Sequence, residues 1–159
     1  MHTRSAVIAA ALALGLAAGP AGAQSNAALL AKYPVKQVYT GKPAPVNLKS
    51  HKNARNFRTL LRAAALRGPK FAGRYAVAQW GCGTSCQQLA LIDARTGRVT
   101  FGPSASHGAR YRLRSRLLIV NAEEDIRDAW EARGQKRPDW AKTEYYLWRG
   151  GKLVKIARP

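Results

Sequence analysis

The two cysteines of this 159-residue chain lie four residues apart, in Trp80-Gly-Cys-Gly-Thr-Ser-Cys-Gln87, between two runs that alternate with a period of two. Arg74–Trp80 and Gln87–Asp93 read as the arms of an antiparallel pair, and Cys82 and Cys86 occupy the loop that joins them. Gly81 and Gly83 supply the backbone freedom that brings two sulfurs so close in sequence within bonding reach. A hairpin is thereby fixed mid-chain, and its neighbours must form a sheet around it. A ring this small removes little chain entropy, roughly 2 kcal/mol, so a Cys82–Cys86 disulfide would mainly set the loop's shape.

Oxidation depends on compartment, and the N-terminus points to export. Arg4 is followed by an uninterrupted small and apolar run, Ala6–Ala18, and by Ala21-Gly22-Ala23, an A-x-A exit. The run is shorter than the roughly 20 residues that span a bilayer. Residues 1–23 are therefore expected to be a signal peptide cleaved before Gln24, giving a periplasmic or secreted protein without a lipid-bearing cysteine at that position. A disulfide is the expected state of the pair there. The rival is chemistry: a Cys82 thiolate activated by His51 or His107, with the Gly83 and Thr84 amides as an oxyanion hole, would make a thiol-dependent hydrolase. Zinc is disfavoured, because the spacing is not C-x-x-C and no second ligand pair follows. Covalent haem needs C-x-x-C-H, which is absent. No metal or cofactor is expected.

Residues 24–50, with Pro34, Pro43 and Pro45 and no sustained period, read as an extended leader with an edge strand at Val35–Tyr39; residues 51–159 read as one globular domain. A helix is expected from Asn53 to the Gly68-Pro69 stop, burying Phe57, Leu60, Leu61 and Ala64 and carrying Arg55, Arg58 and Arg62 on another face. Beyond the cysteine hairpin, Gly97 turns the chain into a strand at Arg98–Phe101, and Gly150-Gly151 joins Thr143–Arg149 to Lys152–Ala157. Tyr111–Val120 is rich in strand formers, and Glu123–Arg133 reads as one short helix. The expected fold class is α+β: a single antiparallel sheet or curled meander of about five to seven strands, with one N-terminal amphipathic helix packed on it.

Charge narrows the partners. The chain holds 27 Lys and Arg against 8 Asp and Glu, for a formal charge of +19. The first carboxylate is Asp93, after 11 cations between Gln24 and Ile92. Such a field favours an anionic envelope polymer or an acidic protein partner; export makes nucleic acid an improbable target. Arg110, Arg112, Arg114 and Arg116 alternate with Tyr111, Leu113 and Ser115. On a strand all four guanidiniums would share one face at steps of about 6.8 Å, an anion-binding row. Internal neutralisation by Glu123, Glu124, Asp125 and Asp128 is the structural alternative, with equal weight.

Taken together, Asn56-Phe-Arg58, Gly68-Pro-Lys-Phe-Ala-Gly73, the W-G-C-G-T-x-C-Q core at 80–87, Ile92-Asp-Ala-Arg-Thr-Gly97 and Ser115–Val120 resemble a family of small exported bacterial proteins of uncharacterised function. The resemblance implies export and a single domain, and lends no activity. Family members carry His where this chain has Arg74 and Asp where it has Arg114. A shorter segment, Ser104-Ala-Ser-His-Gly-Ala-Arg-Tyr111, resembles the S-x-S-G-x-x-Y loop of periplasmic inhibitors of c-type lysozyme, with His107 inserted, and Trp148-Arg-Gly150 resembles their late Trp-x-Gly. That likeness implies a partner loop of Ser104, Ser106, His107 and Tyr111 entering a hydrolase cleft. Three functions follow in order: a non-enzymatic basic protein binding an anionic envelope component or acidic partner, an inhibitor or immunity protein against a cell-wall hydrolase such as lysozyme, and the Cys82 hydrolase.

Overall fold

The alternating runs form strands, in two antiparallel sheets rather than the single one expected. The computed structural model describes residues 24–159; the expected signal peptide, 1–23, lies outside them. The first sheet is β1 (Tyr75–Gly83), β2 (Cys86–Asp93) and β3 (Val99–Ala105), in that order. The second is β4 (Ala109–Arg110), β5 (Leu117–Val120), β6 (Glu144–Arg149) and β7 (Lys152–Ile156), also in chain order. Gly150 and Gly151 both take positive φ, as the two-residue hairpin between β6 and β7 requires.

Two sheets form because each sheet carries apolar side chains on both faces. On the first, Tyr75, Val77, Leu89 and Leu91 meet Leu118, Val120 and Trp148 of the second. Its opposite face carries Ala76, Ala78, Ala90, Ile92 and Val99 under the helix α2 (Arg58–Leu66), which contributes Leu61 and Ala64. The outer face of the second sheet, through Leu117, Ile119 and Tyr145, is covered by Leu29 and Leu30 of a short helix α1 (Asn26–Ala31). The result is helix, sheet, sheet, helix. A single sheet would have left one of these apolar faces in water, at about 25 cal/mol per Å².

The helix expected from Asn53 begins at Arg58, after turns over 51–57. Its buried stripe runs through Phe57, Leu61, Ala64 and Ala65, so Leu60, expected to be buried, lies off the stripe and is 43% exposed. Glu123–Arg133 divides into α3 (Glu123–Ala129) and a 3₁₀ turn at Glu131–Arg133.

Residues 24–50, expected as an extended leader, are woven into the body. Besides α1, the segment donates Val35 N to Arg114 O (3.1 Å), Tyr39 N to Gly73 O (2.8 Å), Ala44 N to Ala94 O (2.7 Å) and Asn47 N to Gly97 O (2.8 Å). The edge strand expected at Val35–Tyr39 is reduced to a single bridge, Pro34 with Ser115. Two turns must lack a side chain for the leader to pass. Gly97, at φ 71°, would place a Cβ 1.9 Å from Pro45 O, and Gly73, at φ 79°, one 2.4 Å from Gln37 O.

Gly97→Ala should therefore destabilise by about 3 kcal/mol or more, strain and collision together, whereas Gly134→Ala, equally left-handed but in open space, should cost about 1 kcal/mol. Urea denaturation of the two variants measures the difference, and equal losses would mean that the leader does not pack on the 93–97 turn.

Candidate anion-binding groove

Cys82 and Cys86 are bonded to each other, with Cα atoms 5.1 Å apart. Gly81 pairs with Gln87 and Gly83 with Cys86, so Cys82 is the extra residue of a β-bulge and the disulfide closes across it. Positive φ at Gly83 (134°) and Ser85 (50°) completes the tip. Cys82 therefore presents no thiol in this state. The two histidines proposed to activate it are engaged elsewhere. His51 stacks on Phe101 at 4.3 Å, and its Nδ1 accepts from Asn53 N at 3.2 Å. His107 sits between Ser106 and Trp130.

The arginine row does not form. Tyr111–Val120 was expected as one strand, but only Leu117–Val120 is strand, and of the four arginines only Arg110 lies in one. Residues 111–116 are held away from the sheet: Gly73 N donates to Leu113 O, Ala72 N to Ser115 O, and Ser115 N to Arg112 O. These bonds satisfy the backbone without a ladder, and the four side chains part. Arg110 forks onto Asp125, through Nε at 3.0 Å and through a second nitrogen, with Glu124 4.0 Å away. The hydrogen bonds to Asp125 raise its pKa further. Internal neutralisation thus holds for Arg110 alone. Arg112 and Arg114 are exposed, without a carboxylate within 4 Å among the described residues.

Arg116 turns the other way, its Nε donating to Pro34 O at 3.4 Å, and lines a groove that sequence reasoning missed. One wall is the leader with Lys36, the rim carries Arg74 and Arg95, and Tyr75 and Trp148 lie beneath. Arg74 is the anchored member. Its Nε and one terminal nitrogen donate to the Tyr75 hydroxyl at 3.2 and 3.0 Å, and it meets the Asp93 carboxylate at 3.1 Å. Asp93 is buried and also accepts Arg95 N at 2.9 Å, so its two oxygens are both occupied. Lys36, Arg95 and Arg116 have no carboxylate within 4 Å among the described residues. Four cations thus line the groove with no carboxylate among its lining residues, and Asp93, which holds Arg74 from outside it, is already used. The only sequence signal for it was the absence of acids before Asp93, which says nothing of where the cations meet.

Of the proposed partner loop, Ser104 is exposed opposite Gln88, and Ser106 and His107 form a network of their own. Tyr111 packs edge-on against Phe71 at 6.4 Å, and burial raises its pKa against the opposing pull of Arg67. Asn121, buried at φ 52°, pins the loop by accepting Ser106 N at 2.8 Å and His107 N at 2.9 Å through Oδ1. Trp130 Nε1–H donates to His107 Nε2 at 3.0 Å, so the neutral ring carries its proton on Nδ1 and gives it to Ser106 Oγ at 2.8 Å. In this tautomer the imidazole cannot take a proton from Ser106, and the pair does not activate a nucleophile.

No family model, curated protein or solved structure matches this chain.

The His107 network is pH-sensitive. Desolvation lowers the imidazole pKa below 6.5, with Arg137 adding to the effect and Asp125 opposing it. A depressed basic group contributes its full stability above the unfolded value and loses it as pH falls through the folded one. The melting temperature should thus be steady above neutrality and decline as pH drops below about 6.5, before Glu123 and Glu144, held low by Arg137 and Lys155, begin to titrate. His107→Gln should remove that first decline; an unchanged pH profile in this variant would assign it to other groups.

Proposed function

We propose that this chain is an exported, non-enzymatic protein that binds an anionic component of the cell envelope in the groove of Lys36, Arg74, Arg95 and Arg116. The observation that carries the reading is the lining of that groove, which holds four cations and no carboxylate; Asp93, outside the lining, is already engaged by Arg74 and by the Arg95 amide. Clustered cations repel one another, and a multivalent anion relieves that repulsion while accepting forked hydrogen bonds from the guanidiniums. Arg74 is pre-oriented by Tyr75 and Asp93, so less side-chain entropy is lost when it binds. Tyr75 and Trp148 beneath give the groove an apolar floor, which suits a ligand with anionic groups on a carbon frame.

Export is supported by the disulfide, which persists in oxidising compartments, and by the charged, apolar and small-residue order of the first 23 residues. The likeness of residues 80–87 to small exported bacterial proteins points the same way. Among the described residues no helix is long and apolar enough to cross a membrane.

Two measurements test the reading. Intact mass of the secreted protein should show a chain starting at Gln24, and a secreted form that retains Met1 would refute processing. Binding to immobilised lipopolysaccharide or heparin should weaken steeply with salt. Lys36→Gln with Arg95→Gln should weaken it about tenfold, whereas Arg55→Gln with Arg58→Gln should change it about threefold or less. Equal losses from the two pairs would mean diffuse charge and no groove. Arg74 is left intact because its removal strands the buried Asp93 carboxylate.

A further inference from the structure

A second surface, independent of the groove, has the opposite chemistry. Trp140 is 55% exposed, a large apolar ring held at the surface with no part in the core clusters. Its plane lies 22° from that of His107, centroids 6.2 Å apart, and nearly perpendicular, at 84°, to that of Trp130, 6.0 Å away. Hydrogen bonds hold two of the three rings, and Trp140 rests against them. Trp130 is bonded to His107, His107 to Ser106, and the backbone amides of Ser106 and His107 to the buried Asn121. The platform is thereby tied to the end of β5.

Ser106 is also the joint to a depression under the cysteine hairpin. It lines that depression with Gln79 and Gln87, whose side-chain amides bond to each other across β1 and β2. Both lie on the face of the first sheet that carries Tyr75, Val77, Leu89 and Leu91 further along. There the second sheet covers the face; at Gln79 and Gln87 the cover ends. The residue between this amide pair and the rings is Gly108, where a Cβ would lie 3.6 Å from Gln79 Nε2 and 3.7 Å from Gln87 Oε1. Each amide spends one atom on its neighbour, which leaves one carbonyl and several N–H positions for a ligand.

The geometry points to a site for an uncharged pyranose sugar, with a ring face on Trp140 and hydroxyls on the Gln79–Gln87 amides and Ser106. A pyranose presents axial C–H bonds on one face, which the negative face of an indole attracts, and a rim of hydroxyls that both donate and accept. The surface carries both halves: an exposed indole stacked on His107 and, joined to it through Ser106 and Gly108 of the same loop, neutral groups that donate and accept. The polar groups named here are uncharged, so they offer an anion no ion pair, and the site is distinct in residues and in chemistry from the groove of Arg74. In an envelope protein the source of such a ring is a glycan strand.

The test is an NMR titration of the full, disulfide-bonded chain with chitotetraose, cellotetraose and maltotetraose. At least one should shift the indole N–H signals of Trp130 and Trp140 and the amides of residues 104–108 saturably, with equal affinity at low and high salt. Trp140→Ala should weaken that binding at least about tenfold and Gln79→Ala with Gln87→Ala at least about fivefold, while melting temperatures stay within a few degrees of the parent. Lys36→Gln with Arg95→Gln should bind the sugar as the parent does, which separates this site from the anion groove. No shift with any of the three sugars up to about 10 mM, or unchanged affinity in Trp140→Ala, would overturn the proposal.

Discussion

The buried hydroxyl of Ser115 holds the two ends of this fold together. It donates to Leu30 O at 2.6 Å and accepts Leu117 N at 3.1 Å, with only 2% of the residue exposed. Its own N–H turns back to Arg112 and its carbonyl takes Ala72 N. One small residue thus caps the entry to β5 and seats the end of α1 through its hydroxyl, and joins the 71–73 turn through its carbonyl. An apolar residue of similar size would leave a carbonyl and an amide buried without partners, at about 1–3 kcal/mol for each. Because Ser115 faces inward among these elements, the residues on either side diverge. Arg114 stays at the surface and its carbonyl receives the leader, while Arg116 swings toward Pro34 and the groove.

The arrangement of charge follows from that divergence. An alternating run of arginines is a one-face row only while the backbone is extended, and a strand needs ladder partners to stay so. Here the leader and the 71–73 turn take those hydrogen bonds. The repulsion that a row would have concentrated is dispersed: Arg110 goes to Asp125, Arg112 and Arg114 to water, Arg116 to a groove assembled from distant residues. Acids and cations are likewise segregated. The carboxylates of α3 find Arg110 and Arg137, and Glu144 finds Lys155, so apart from Asp93, which holds Arg74, these paired carboxylates lie on the second-sheet side.

Legibility in the sequence followed the range of the interaction. Cys82 with Cys86, the Gly150-Gly151 hairpin and the Gly97 turn are decided within a few residues, and each was readable from glycine placement and alternation. The six-residue helix Asn26–Ala31 is too short to show a period; it exists because Leu29 and Leu30 cover Leu117 and Ile119. Leu60 was misjudged because the pattern fits two neighbouring stripes, and only contact with Ala76 and Ala90 selects the one through Leu61. Asn121, Trp130 and Trp140 carried no motif, since Asn after an apolar strand reads as an ordinary turn and two tryptophans ten apart match no helical face. The groove was unreadable for the same reason: β1–β2 pairing sets Arg74 beside Arg95, but only docking of the leader adds Lys36 and turns Arg116 toward Pro34.

That docking has a kinetic side. The Ser115–Leu30 bond closes 85 residues of chain, and the Ser50 hydroxyl reaches Val99 across 49, whereas β1–β2 and β6–β7 close through turns of a few residues. Loop closure of that length is slow relative to hairpin formation, so the hairpins precede the leader in folding. The wall that carries Lys36 is then expected to be the last part to arrive. Under the proposed reading, a ligand that bridges Lys36 to Arg74 would also fasten residues 24–50 to the middle of the chain, so that its capture and the docking of that segment would be one event.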